Sequence, residues 1–238
     1  MLLVDYIWFD LGYTLVHLNR EEVYQERLKD FGIEKSLDEI ALAYHLTDKY
    51  FMREHPGLLG KDRKQYAAYY QGKLNTYLGL EVDLIDESET SKFNQTVKVE
   101  WKAFHATLQT LMQLKESGIG VGLISNWNHT ARKVLMENKI LPLLDHVVIS
   151  SELEIEKPDE RIFVHAFRQS GVSPEKSLYI GDNYYDDVVG SRKVGMDSIL
   201  INPFERSGIE ELSNDIHTIS NIKDLVPALN SDLIVARG

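Results

Sequence analysis

The sequence predicts an α/β protein: a doubly wound parallel sheet with an all-helical domain inserted after its first strand. Three observations carry this reading. First, short apolar runs end in polar residues: Tyr6-Ile7-Trp8-Phe9 before Asp10, Gly122-Leu123-Ile124 before Ser125, and Leu178-Tyr179-Ile180-Gly181 before Asp182. Runs of this length between helical patterns read as strands buried on both faces of a parallel sheet. Second, strand and helix patterns alternate from about residue 104 to the C-terminus. Third, residues 16–103 show helical periodicity and no convincing strand. A crossover normally uses one helix, so a stretch of that length reads as a separate unit. The expected division is an α/β core of residues 1–15 and 104–238 with a helical cap of residues 16–103.

Each element has a local reason. After the strand Tyr6–Phe9, Arg20–Phe31 reads as a helix with Asn19 as N-cap and Gly32 as stop. A second helix is expected over Ser36–Arg53, ended before His55-Pro56-Gly57, and a third over Asp62–Leu78, closed by Gly79. A fourth is placed within Glu89–Lys102. In the core the expected order is helix Ala106–Glu116, strand Val121–Ile124, helix His129–Asn138, strand Val147–Ile149 and helix Asp159–Ser170. Strand Leu178–Ile180, helix Asp186–Val194, strand Ser198–Ile201, strand Ile216–Ile219 and helix Lys223–Leu229 complete it. Gly118, Gly171 and Gly195 stand where helices must stop.

Composition excludes several classes. The 238 residues carry a net charge of −11, which argues against nucleic acid as partner, since that affinity comes mostly from Lys and Arg on phosphates. An anionic ligand must therefore be held by local charge. The absence of cysteine excludes a disulfide scaffold and thiolate chemistry and fits a reducing cytoplasmic setting. The N-terminal Met1-Leu2-Leu3-Val4-Asp5 lacks the basic region of a signal peptide, and no stretch reads as a membrane span.

In an open α/β sheet the carboxyl ends of the strands form the ligand crevice. Asp10, Ser125 and Asp182 close apolar runs, and Lys157 lies just past Val147-Val148-Ile149, so all four converge on one rim. The order and spacing resemble the haloacid dehalogenase superfamily across nearly the whole chain. Its D-x-D-x-T motif corresponds to Asp10-Leu11-Gly12-Tyr13-Thr14, its strand-terminal Ser or Thr to Ser125 with Asn126, its Lys to Lys157, and its G-D-x-x-x-x-D to Gly181-Asp182 with Asp187, beside an extra Asp186.

The resemblance implies Asp10 as a nucleophile forming an aspartyl-phosphate. It implies Mg²⁺ held by Asp10, the Gly12 carbonyl and Asp182, in keeping with that ion's preference for hard oxygen. Asp187 or Asp186 would orient metal-bound water or Lys157 from outside the ligand set. Ser125, Asn126 and Thr14 would face substrate phosphate, although Thr14 also suits a loop-holding part, and Lys157 would offset charge between Asp10 and phosphate.

The first loop departs from the pattern: Gly12 stands where the family's phosphatases carry a second Asp that protonates the leaving alcohol. Three readings remain open. The first is Mg²⁺-dependent hydrolysis of a small phosphorylated metabolite, a sugar phosphate or similar, with a good leaving group or a proton from elsewhere, such as His17 or a cap residue. The second is hydrolysis at carbon, of haloacid or phosphonate type, the latter needing a cap lysine among Lys29, Lys49, Lys61, Lys64 and Lys73. The third is a phosphate- and metal-binding module without turnover. Substrate choice is expected from the cap, where Tyr66, Tyr69 and Tyr70 share a helical face that reads as core rather than ligand contact.

Overall fold

A computed structural model describes residues 4–81 and 99–231. Six parallel strands form the main sheet: β1 (Tyr6–Phe9), β4 (Gly120–Ser125), β5 (His146–Ile149), β6 (Ser177–Gly181), β7 (Asp197–Ile201) and β8 (Thr218–Ile219). Their spatial order is β5-β4-β1-β6-β7-β8, so β1 is internal and the order reverses beside it. Phe9 pairs with Leu123 on one side and Ile180 on the other, which brings the ends of three strands within two residues of one another in register. Ligand crevices form at such a reversal.

Helices α4 (Thr107–Glu116), α5 (Ala131–Glu137), α6 (Ser150–Leu153), α7 (Glu160–Ser170), α8 (Val189–Lys193) and α9 (Leu225–Asn230) belong to the same unit. Part of its core joins Trp8, Ile124, Val148, Phe163 and Tyr179, all buried. Close packing dictates Gly122, because a Cβ there would lie 2.5 Å from the Trp8 ring.

The described residues divide into two compact units, the second comprising Leu18–Lys102 and Arg206–Glu210. That second unit holds α1 (Arg20–Asp30), α2 (Leu37–Glu54) and α3 (Ala67–Tyr77). Ser36 starts α2 with a full capping box to Glu39. Asn19 does not cap α1; its side-chain oxygen accepts the Glu100 N–H instead. The expected helix from Asp62 begins as a separate turn, Arg63–Gln65, before α3. Tyr70 is buried in the helical core with Tyr24, Tyr44, Phe51 and Leu74, and Tyr66 packs against it, whereas Tyr69 is exposed.

The expectation of no strand within residues 16–103 is corrected by β2 (Val16–Leu18) and β3 (Trp101–Ala103), which pair as a two-stranded ribbon. Strands of three residues are too short for an alternation signal, and pairing rather than pattern creates them. The fourth expected helix, within Glu89–Lys102, lies largely outside the described residues, and its end is β3.

In the helical unit His45 is buried, and its Nε2–H donates to the Ser207 carbonyl at 2.9 Å. Burial, with the Lys49 cation second, lowers its pKa from 6.5 to about 4; Asp48 opposes that shift and Arg20 adds to it. Glu210, whose carboxyl is held low chiefly by main-chain N–H groups, also senses the His45 charge. The sign follows from linkage. The unfolded chain takes up the proton first, so the contribution of neutral His45 is complete above about pH 6.5 and is lost as pH falls toward 4. Full loss corresponds to about 3 kcal/mol. Urea unfolding at about pH 7 and about pH 4.5 is expected to show a smaller acid loss in His45→Gln than in wild type, by about 2 kcal/mol. Equal losses would remove His45 from the account.

Candidate active site

Asp10 directly follows β1, and its N–H donates to the Ile180 carbonyl at 2.9 Å, extending the β1–β6 pairing by one residue. The chain then turns sharply. Leu15 and Val16 N–H groups donate to the Leu11 carbonyl at 2.9 and 3.0 Å, and Tyr13 N–H donates to Val16 at 2.7 Å. Tyr13 sits in the left-handed region at φ 52°, a strained choice for a bulky residue. None of these bonds uses the Gly12 carbonyl.

Lys157 is the centre of the site. Its side chain is 2% exposed, and its ammonium donates to Asp10 Oδ1 at 2.8 Å, Asp187 Oδ1 at 2.6 Å and the Tyr179 hydroxyl at 2.7 Å. An ammonium has three donors, and here each meets an acceptor. Burial works against the Lys157 charge, but the Asp10 and Asp187 carboxylates outweigh it and hold its pKa well above the ordinary lysine range. Asp187 is fixed in turn, its Oδ2 accepting from Asn183 N–H at 3.0 Å.

Asn126 clamps the Lys157 main chain. Its Oδ1 accepts from Lys157 N–H at 2.7 Å and its Nδ2 donates to the Lys157 carbonyl at 2.9 Å. The side chain expected at substrate therefore meets the lysine backbone with both its polar atoms. Ser125, the last residue of β4, is buried and its hydroxyl has no protein partner; the same holds for Thr14 in the first loop. The structure does not tie Thr14 down through its hydroxyl.

Asp182 follows β6 directly and is half-buried. The expected helix from Asp186 instead begins as a wide turn, Tyr184–Val188, capped by the Asn183 side chain, with α8 following. Asp186 accepts from Asn183 Nδ2 at 2.8 Å, and burial, reinforced by the neighbouring Asp187 charge, pushes its carboxyl up to about 7. His17 stacks on Phe104, ring centroids 4.7 Å apart.

The donor set suits a hard cation. Among the described residues no cluster of three or more His, Cys, Asp or Glu side chains gathers for a metal. Asp10 and Asp182, which follow neighbouring strands, are hard oxygen donors of the kind Mg²⁺ takes, commonly one or two carboxylates completed by substrate phosphate and water. Tyr179 is the site residue that sequence reasoning missed. It reads as one more member of an apolar run, yet its phenol reaches the lysine.

Comparison with known proteins places the chain in a family. The profile of the haloacid dehalogenase-like hydrolases matches residues 29–201. The chain is 29% identical over 173 residues to a glyceraldehyde 3-phosphate phosphatase of Methanothermobacter thermautotrophicus, covering 71% of this chain and 76% of that protein. A dehalogenase crystal structure superposes with a TM-score of 0.65 at 22% identity, covering 95% of this chain and 97% of that one. A HAD phosphatase from Thermococcus onnurineus superposes at 0.56 with 21% identity, covering 95% and 98%. The profile spans well over half of the chain, and the strand order is that of its structural neighbours' fold class: this chain belongs to the haloacid dehalogenase-like hydrolases.

Proposed function

We propose that the chain is a Mg²⁺-dependent phosphatase that hydrolyses a small phosphomonoester, a sugar phosphate or similar metabolite, through an aspartyl-phosphate on Asp10. The observation that carries this reading is a carboxylate pinned to a buried lysine, with an unpartnered buried hydroxyl, Ser125, at the end of the adjacent strand and a second, Thr14, in the loop that follows Asp10. The phosphatase name of the Methanothermobacter relative supports the same substrate class.

In this mechanism an Asp10 carboxylate oxygen attacks phosphorus while the bond to the leaving oxygen breaks. Lys157 offsets the negative charge gathered between Asp10 and phosphate, which a protein of charge −11 supplies in no other general way. Ser125 and Thr14 donate to phosphoryl oxygens and hold them in line. Bound by Asp10, Asp182 and the Gly12 carbonyl, Mg²⁺ would neutralise phosphoryl charge. Water then attacks the acyl-phosphate, releasing inorganic phosphate and restoring Asp10.

Gly12 brings no acid to the leaving oxygen, so the reading favours substrates whose leaving group is already stable as an anion. Gly12 lies outside the left-handed region, so its backbone accepts a side chain. Gly12→Asp is expected to raise kcat on alkyl phosphates by about 10²-fold, with a much smaller gain on acyl phosphates. Equal change on both would show that the loop lacks no acid.

A panel of phosphorylated metabolites, assayed for phosphate release with and without Mg²⁺, tests the whole reading. Phosphate release that needs Mg²⁺ supports it; metal-independent release overturns the metal's part. Halide release from 2-haloacids would replace it with chemistry at carbon, and ligand-induced stabilisation with no turnover would leave a binding module.

A further inference from the structure

We infer that Tyr179 is a positioning residue that locks Lys157 onto its two carboxylates and ties it to the strand carrying Ser125. Tyr179 stands on β6 and is fully buried, with its hydroxyl engaged by Lys157 on one side and Ile124 on the other. Its own proton goes to the Ile124 carbonyl at 2.6 Å, on β4, with β1 lying between the two strands. A phenol has a single proton, so the oxygen that meets Lys157 Nζ at 2.7 Å does so as acceptor. The direction of both bonds is thereby fixed. Burial pushes the phenol pKa up, so the proton stays on Tyr179 beside the lysine charge.

The geometry has two consequences. Asp10 and Asp187 take two ammonium protons, and without the phenol the third is buried without an acceptor. The Lys157 head would then turn about its stem to regain a partner and leave one carboxylate. In addition, Ile124 immediately precedes Ser125, so a continuous bridge runs from ammonium through phenol and carbonyl to the residue with the orphan hydroxyl. The cation and the phosphate-facing hydroxyl are set by one strut.

This inference deepens the phosphatase reading and rests on it for what Lys157 does, but its test does not depend on turnover. With nitrogen-15 lysine labelling, the Lys157 ammonium is assigned as the resonance that Lys157→Met removes. In wild type it is expected to be visible and slow to exchange, with cross-peaks to the Tyr179 ring. In Tyr179→Phe, which keeps the ring, exchange should speed up about 10-fold or more, and kcat on a responsive phosphomonoester should fall about 10- to 100-fold with KM nearly unchanged. A rise in KM with unchanged kcat, or ammonium exchange equal to wild type, would overturn the inference. Should the variant not fold, the wild-type spectrum decides alone, because absence of the Tyr179 cross-peaks overturns it equally. If the panel finds no phosphatase, the ammonium resonance still judges the strut.

Discussion

Asp10→Asn is expected to abolish phosphomonoester turnover, with a loss of about 10³-fold or more, while the fold survives. The amide keeps an oxygen where Lys157 Nζ meets Oδ1 at 2.8 Å, so the lysine retains that acceptor. What disappears is the negative charge and the nucleophilicity of the carboxylate, and neither is restored by a neighbour. Asp187 is occupied by Lys157 and the Asn183 N–H, and it follows β6 rather than β1. Initial rates on a substrate from the phosphate panel, with circular dichroism to verify folding, check the expectation. Turnover within tenfold of wild type would remove Asp10 as nucleophile.

Gly181→Ala is expected to be the most damaging single methyl group in the α/β unit. A Cβ at Gly181 would lie 2.1 Å from Asp187 Oδ2, 2.5 Å from its Cγ and 2.9 Å from its Cβ, so the whole side chain must move. Asp187 has little freedom to do so, since its own N–H is bonded to the Asn183 carbonyl at 2.8 Å and its carboxylate joins Asn183 N–H to Lys157. Displacing it leaves a buried ammonium short of a partner, a change that costs about 3–5 kcal/mol when one half of a buried pair is removed. Urea unfolding should register that loss, and turnover should fall with it. Stability within about 0.5 kcal/mol of wild type, the usual range for harmless substitutions, would show that Asp187 yields freely.

Much of this architecture can be read from the chain because parallel strands buried on both faces are apolar throughout and stop abruptly. Asp10, Ser125 and Asp182 stand out for that reason, and the strands they close are all present. Lys157 is legible from its register after the β5 run. What escapes the sequence is contact across the sheet. Tyr179 belongs to an apolar run by composition, and only the fold reveals that its hydroxyl meets Lys157 and Ile124. Asn126 follows Ser125 and so resembles a phosphate contact, whereas its amide matches the spacing of a main-chain N–H and C=O on Lys157. The segment Arg206–Glu210 groups with the helical unit although it follows β7 in sequence. Its Ser207 carbonyl meeting His45 is a contact across 162 positions, beyond the reach of any local pattern.

The internal place of β1 has a bearing on how the chain acquires its fold. Tyr6 pairs with Gly120 and Ser177, so β1 acquires its neighbours only once segments 114 and 171 residues further along have been made. Loop closure over such separations is slow, and contacts of this kind dominate folding times. The helical unit, by contrast, draws Tyr24, Ile40, Phe51, Tyr70 and Leu74 together from one continuous stretch. During synthesis Ile7, Trp8 and Phe9, wholly buried at the end, pass through an unpaired interval. Pulse-labelled hydrogen exchange on refolding should protect α2 and α3 amides before those of β1, so the strand that leads into Asp10 is secured after the helical unit.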